Sequence, residues 1–266
     1  MKKILTTVFV LAAMAMFAAA CGPKGGGDKP ADDKKPTEVK EEVTIDLFIM
    51  SQCPYGAQAI EKFYPVLEKF EGQVGINLQF IGQKKPDGSL TSMHGDKEVQ
   101  GDINYVCAKD LAPGNKEYWT YVNCVNEKWR EIPANSDACV KKAGLDAAKF
   151  KECSEGKKGK ELLAKSFDLA VAKKATGSPS ILIGEERYSG NRTDQAIIQF
   201  ICGKYGKEKG LKYCDNMEPP AEVKLIALTD KRCGEECNVE RMLGSLKGIF
   251  MGLKPVIMDW SDAEAQ

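Results

Sequence analysis

The hydrophobic positions change their period at one point in the chain. From Val43 to Met50 apolar and polar residues alternate, with β-branched Val43, Thr44, Ile45 and Ile49 among them, as a half-buried strand requires. After Ser51-Gln52-Cys53-Pro54-Tyr55-Gly56 the apolar residues Ala57, Ile60, Phe63, Tyr64, Leu67 and Phe70 recur at steps of three and four, one face of a helix. Val74 to Ile81 alternates again and predicts a second strand, parallel to the first and reached by a right-handed crossover. Pro86-Asp87-Gly88 is a turn, and from there to about Ala172 the pattern reads as helices alone.

Within that helical block Val99, Ile103, Val106 and Leu111 mark one face, and Tyr118, Tyr121, Val122, Val125 and Trp129 another. Pro113-Gly114 and Pro133 separate the segments, Ser136 to Ala143 and Asp146 to Cys153 form short helices around Gly144, and Lys160 to Lys174 a longer one. Ser180 to Ile183 and Glu186 to Ser189 then predict a hairpin, followed by a helix from Asp194 to Tyr205 capped by Thr193. Beyond Pro219-Pro220, which reads as a linker, Val223 to Leu228, a Cys233-Gly234-Glu235-Glu236-Cys237 turn, a helical run over Val239, Met242, Leu243, Leu246 and Phe250, and Lys254 to Trp260 repeat the order strand, cysteine turn, helix, strand. The expected organisation is a domain over residues 43–216, with its helical insertion at about 90–174, and a βαβ half-module over 221–266.

Composition narrows the function. The chain has 266 residues, is 43% hydrophobic, and carries zero formal net charge, which suits a globular protein and recommends no nucleic-acid partner. Ten cysteines are unusual. Met1-Lys2-Lys3 and the apolar run Ile4 to Ala20 have the form of a cleaved export signal. Cys21 directly after Ala18-Ala19-Ala20 resembles the lipidated cysteine of bacterial lipoproteins, with Ala18 departing from the usual leucine, and residues 21–42 read as a flexible tether. A lipid-anchored protein is favoured over a soluble secreted one, and both place the domain outside the cytoplasm, in a bacterial cell envelope on its periplasmic side, where disulfides persist.

Cys53 begins a helix, where unpaired N–H groups and the positive end of the dipole favour a thiolate, and Pro54 suits the first helical turn. The strand-turn-helix around Cys53-Pro54-Tyr55-Gly56 resembles the active segment of thioredoxin-fold proteins, with Gly56 in place of the second cysteine. The inserted helical block resembles disulfide oxidoreductases of the DsbA type. Ser178-Pro179 ahead of an apolar strand resembles that fold's cis-proline loop, which the resemblance implies is cis and faces the nucleophile. His94, Gly95, Glu98 and Cys107 fit the signature of gamma-interferon-inducible lysosomal thiol reductases, whereas Ser92 and Val99 stand at two of its cysteines and Asp102 at its Asn. Cys139, Leu145, Cys153, Gly156 and Gly159 extend the likeness, and His94 is expected to have no catalytic role.

The remaining cysteines are expected to be structural. Cys107, Cys124, Cys139 and Cys153 can pair in three ways; equal distance from Asp146 favours 139 with 153, which leaves 107 with 124, flanking the Ala112–Asn115 turn less symmetrically. Cys202 and Cys214 are expected to bridge, leaving Cys53 as a readily alkylated thiol besides any at Cys233 and Cys237. The latter two are a secondary redox pair, a local disulfide or free thiols. The expected function is exchange with protein or peptide thiols and disulfides through Cys53, with no cofactor and no metal; the alternatives are a non-catalytic substrate-binding lipoprotein and a metal-binding lipoprotein using Cys233 and Cys237.

Overall fold

The computed structural model describes residues 41–218, 221–237, 239–250 and 252–263. The export signal, Cys21, the tether as far as residue 40 and Pro219-Pro220 lie outside the described residues. Strand β1 (Val43–Ile49) leads through the Ser51–Cys53 turn into α1 (Pro54–Lys69) and returns as β2 (Val74–Phe80). The two strands pair in parallel from Val43↔Val74 to Ile49↔Phe80. Strands β3 (Gln83–Lys84) and β4 (Leu90–Thr91) form a small antiparallel hairpin around the predicted turn, so the block after it is not helical from its first residue.

Five helices follow: α2 (Asp96–Leu111), α3 (Asn115–Glu127), α4 (Ser136–Lys142), α5 (Ala147–Glu155) and α6 (Lys157–Ala172). Asp146 caps α5, its carboxylate accepting from the N–H groups of Ala148 and Lys149. The chain then re-enters the sheet as β5 (Ser180–Ile183) and β6 (Glu186–Arg187) and closes it with α7 (Asp194–Lys209), where Thr193 Oγ1 accepts from Ala196 N–H as the cap. The last strand is two residues long, shorter than the Glu186 to Ser189 expected.

Strand order is β2-β1-β5-β6, with β5 antiparallel to β1. This is the expected α/β, thioredoxin-like sheet with a helical block inserted between its halves. Ile45, Leu47, Phe48 and Ile49 of the central strand are all buried, which requires cover on both faces. One core joins Ile45, Leu47 and Ile49 to Phe63 of α1 and Phe80 of β2 and runs on into the inserted block through Tyr105 and Tyr121. A smaller cluster gathers Phe48, Met50, Cys53, Ile81, Ala170, Ala175 and Leu182.

Three disulfides staple the domain: Cys107–Cys153, Cys124–Cys139 and Cys202–Cys214. The first two correct the pairing expected from symmetry. Equal distance from a turn sets the height of Cys139 and Cys153 along their hairpin, but helical rotation sets the direction of each side chain. Cys139 on α4 meets Cys124 on α3, and Cys153 on α5 meets Cys107 on α2.

A second parallel pair, β7 (Val223–Thr229) with β8 (Leu253–Asp259), flanks α8 (Val239–Ile249) and forms its own two-stranded sheet. Cys233 is disulfide-bonded, and the side chain of Cys237 lies outside the described residues.

Candidate active site

Cys53 stands where β1 hands over to α1. Its N–H donates to Met50 O at 3.0 Å, closing the turn, and its carbonyl accepts the first helical bond from Ala57 N–H at 3.0 Å. Its backbone is extended (φ −82°, ψ 124°), the geometry of a helix N-cap, and Pro54 takes the first helical position. Among the described residues Cys53 is the free cysteine; it is only 8% exposed and belongs to the smaller apolar cluster. The neighbouring Tyr55 is 61% exposed.

The cis-proline loop meets the thiol directly. Ser178–Pro179 is cis, and Cys53 Sγ lies 3.7 Å from Ser178 O. The Ser178 hydroxyl reaches the end of β1, accepting from Met50 N–H at 2.9 Å. It also occupies the space beside Gly56. A Cβ at residue 56 would come within 2.9 Å of Ser178 Oγ, 3.0 Å of Met50 O and 3.1 Å of Ile49 Cβ. A second cysteine at 56 therefore cannot be added without local movement, a constraint invisible in the Cys-Pro-Tyr-Gly motif itself.

The inserted block supplies the other wall. Ser51 N–H donates to Asp102 Oδ1 at 3.2 Å and Gln52 N–H to Glu98 Oε1 at 3.0 Å. Both acids are fully buried. Glu98 also accepts from the Ser92 hydroxyl and from His94 N–H at 3.1 Å, and its Oε1 lies 2.8 Å from His94 Nδ1. Gln52 Nε2 donates to Ile132 O at 2.7 Å. Gly101 permits this approach of α2, since a Cβ there would sit 2.2 Å from Ile132 Cγ2 and 2.9 Å from Ser51 Oγ. Burial pushes the Asp102 carboxyl well above the usual carboxylate range; hydrogen bonds from Ser51 oppose this and the Glu98 charge adds to it.

Sequence reasoning missed Glu98 and Asp102 as partners of the turn that leads into Cys53. The available signal was their i, i+4 spacing, which puts both acids on one face of the same helix. His94, expected to be idle, is joined to the same group through Glu98. A groove of about 660 Å³ adjoins Met50 and the loop before Pro179, lined in part by Ile81, Met93, Val171, Ala175 and Thr176. Cys202 and Cys214 bridge behind α7, and Cys233 is in a disulfide, so it offers no thiolate ligand in this form.

Comparison with known proteins places these residues. Residues 44–143 match the model of the family described as gamma interferon inducible lysosomal thiol reductase (GILT). A GILT-like protein of Caenorhabditis elegans, ZK669.3, is 25% identical over 135 residues, covering 49% of this chain and 61% of the relative. The chain thus spans less than two thirds of the length of the curated relative it matches. Among solved structures, MdbA, a thiol-disulfide oxidoreductase from Corynebacterium diphtheriae, is similar at a TM-score of 0.48 and 14% identity over 62% of this chain and 85% of that one. DsbG from Mycobacterium tuberculosis follows at 0.47 and 14%, over 65% and 83%. NmDsbA1 from N. meningitidis has 0.44 and 12%, over 67% and 91%. These likenesses lie at TM-scores below 0.5, and the strand order and helical insertion of this chain carry the fold. Across residues 44–143, which hold Cys53, Glu98 and Asp102, the chain is similar to the GILT thiol reductases, set here in a thioredoxin-like fold.

Proposed function

We propose that this protein is an extracytoplasmic thiol-disulfide oxidoreductase acting on protein or peptide disulfides through the single thiol of Cys53. One observation carries the reading: a free cysteine at a helix N-cap faces the carbonyl of Ser178, the residue before a cis-proline. An extended substrate strand can pair with backbone at such a loop while its disulfide reaches the sulfur. Cys53 thiolate attacks one substrate sulfur, forming a mixed disulfide and releasing the other sulfur as a thiolate that takes up a proton. With Gly56 where a resolving thiol would be, two external thiols complete the turnover. The first displaces the reduced substrate and remains on Cys53; the second removes it as an oxidised dithiol and restores the Cys53 thiolate. The groove beside Met50 suits apolar side chains flanking the disulfide.

The export signal and Cys21 support a bacterial envelope address on the periplasmic side, with a lipid at Cys21 as the anchor. Loss of membrane association in Cys21→Ala tests that anchor; unchanged fractionation would refute it.

A second reading is favoured by the low exposure of Cys53: a binding protein that holds substrates in the groove without turning them over. Reduction of insulin disulfides with an external thiol separates the two. Turnover that Cys53→Ser abolishes supports the enzyme. No turnover, with retained binding of the disulfide peptide by Cys53→Ser, supports the binding protein.

A further inference from the structure

Two buried carboxyls stand against the backbone that leads into Cys53, and the exchange chemistry above uses neither. Burying acids costs several kcal/mol unless hydrogen bonds and charge partners offset it, and apolar residues would fill the same space at less cost. Their bonds go to consecutive amides: Asp102 takes Ser51 N–H and Glu98 takes Gln52 N–H. The four donors on Glu98 match the acceptor capacity of a carboxylate's two oxygens. Asp102 is different, because its Oδ2 is buried with no hydrogen-bond partner among the described residues.

We propose that Glu98 and Asp102 are positioning residues for Cys53, fixing the two backbone amides ahead of it so that its sulfur is held at the Ser178 carbonyl. This rests on Cys53 being the nucleophile. The turn has no side-chain cap of its own at Cys53, so its orientation depends on such outside contacts. Glu98 is itself fixed by Ser92 and His94, and Gln52 by Ile132 O, which ties β4, α2 and the segment after α3 to one turn. Burial raises the Asp102 carboxyl, and a carboxyl that keeps its proton sets less negative charge against a Cys53 thiolate. The other ionisable groups facing the pair are His94, ahead of α2, and Tyr105, on α2 itself.

The test compares Glu98→Gln, Asp102→Ala and Asp102→Asn in the whole protein, reading insulin reduction, Cys53 alkylation by iodoacetamide, and hydrogen exchange of the Ser51 and Gln52 amides. Glu98→Gln and Asp102→Ala are expected to lower kcat and the alkylation rate by on the order of tenfold with KM unchanged. Asp102→Ala should speed exchange at the Ser51 amide, and Glu98→Gln at the Gln52 amide, because a side-chain amide offers one acceptor oxygen where the carboxylate takes four donors. Asp102→Asn keeps the Oδ1 acceptor and should match the wild type. Folded Glu98→Gln and Asp102→Ala variants with wild-type rates and wild-type amide protection would overturn the proposal, as would Asp102→Asn failing as badly as Asp102→Ala. Should Glu98→Gln not fold, Ser92→Ala removes one of its four donors, with a fall in alkylation of roughly threefold expected and no change refuting it. If the wild type reduces no disulfide, the exchange reading fails by itself, and alkylation and amide exchange still decide the positioning role.

Discussion

The chain builds a strand-turn-helix-strand unit twice, in two different surroundings. In both, two seven-residue strands pair in parallel, Val43–Ile49 with Val74–Phe80 and Val223–Thr229 with Leu253–Asp259. Each has a cysteine after its first strand, and each turn is held by an acid. The surroundings separate them. The central strand of the first is buried, whereas Ile226 and Leu228 of the second are 52% and 49% exposed. The acids of the first come from the inserted α2 and are buried against the amides of Ser51 and Gln52, with Asp102 pushed up by that burial. In the second, Asp259 closes its own strand, accepts from Lys231 N–H at 3.0 Å, and is held below the usual range by hydrogen bonds, chiefly from Ser261. The same local pattern yields a braced, half-dry thiol in one place and a disulfide-bonded turn in the other. What differs is the helical block.

Loosening that block from within should have the largest effect. Replacing Cys107 and Cys153 together by Ser opens a link between residues 46 apart that ties α2 to α5. A loss of about 4 kcal/mol is expected on the chain-entropy model, measured by urea unfolding. A loss no greater than that of an ordinary surface substitution would show that this bridge adds nothing to what holds α2 against α5.

The next test presses on Gly56. Gly56→Cys restores the dithiol spacing but must displace Ser178 Oγ, so it should cost about 1–3 kcal/mol as an overpacked core position. Combining it with Ser178→Ala removes the nearest obstacle and should recover part of the loss and speed turnover. A fully stable single variant would mean that the turn has room to spare.

Asp102 distinguishes the two units by pH. Its carboxyl is raised in the folded chain, so the folded state keeps a proton that the unfolded state releases. That contribution is complete below the unfolded value of about 4 and is lost as pH rises towards the folded value. Asp102→Asn should therefore gain stability relative to wild type as pH rises from about 4 to neutrality. Parallel stability curves over that range would show that Asp102 is not buried as a neutral acid. The smallest effect is expected at Ile226→Ala, within about 0.5 kcal/mol because the side chain is half exposed, and a larger loss would mean that this face is covered in solution.

Much of the scaffold is legible in the chain because it depends on local periodicity. The alternation of Val43 to Met50, the helical spacing from Ala57 to Phe70 and the cap at Thr193 all correspond to observed elements, with ends that differ by up to four residues. The extra β3–β4 hairpin was hidden because two-residue strands have no period to detect. The cysteine partners were hidden for another reason: spacing measures distance along the chain, whereas the bridges follow which helix faces which.

By itself the sequence determined where the period changes, and therefore that Cys53 begins a helix after a strand and that Gly56 leaves it without a second thiol. Those are properties of neighbouring residues and of backbone geometry. Only the tertiary structure decided that Cys139 meets Cys124, that the Ser178 hydroxyl fills the space at Gly56, and that Glu98 and Asp102 take the amides of Ser51 and Gln52. Each of these contacts joins segments that are far apart in the chain or on different helices. Their energies depend on side-chain direction and on burial, which are set when α2 packs against the turn.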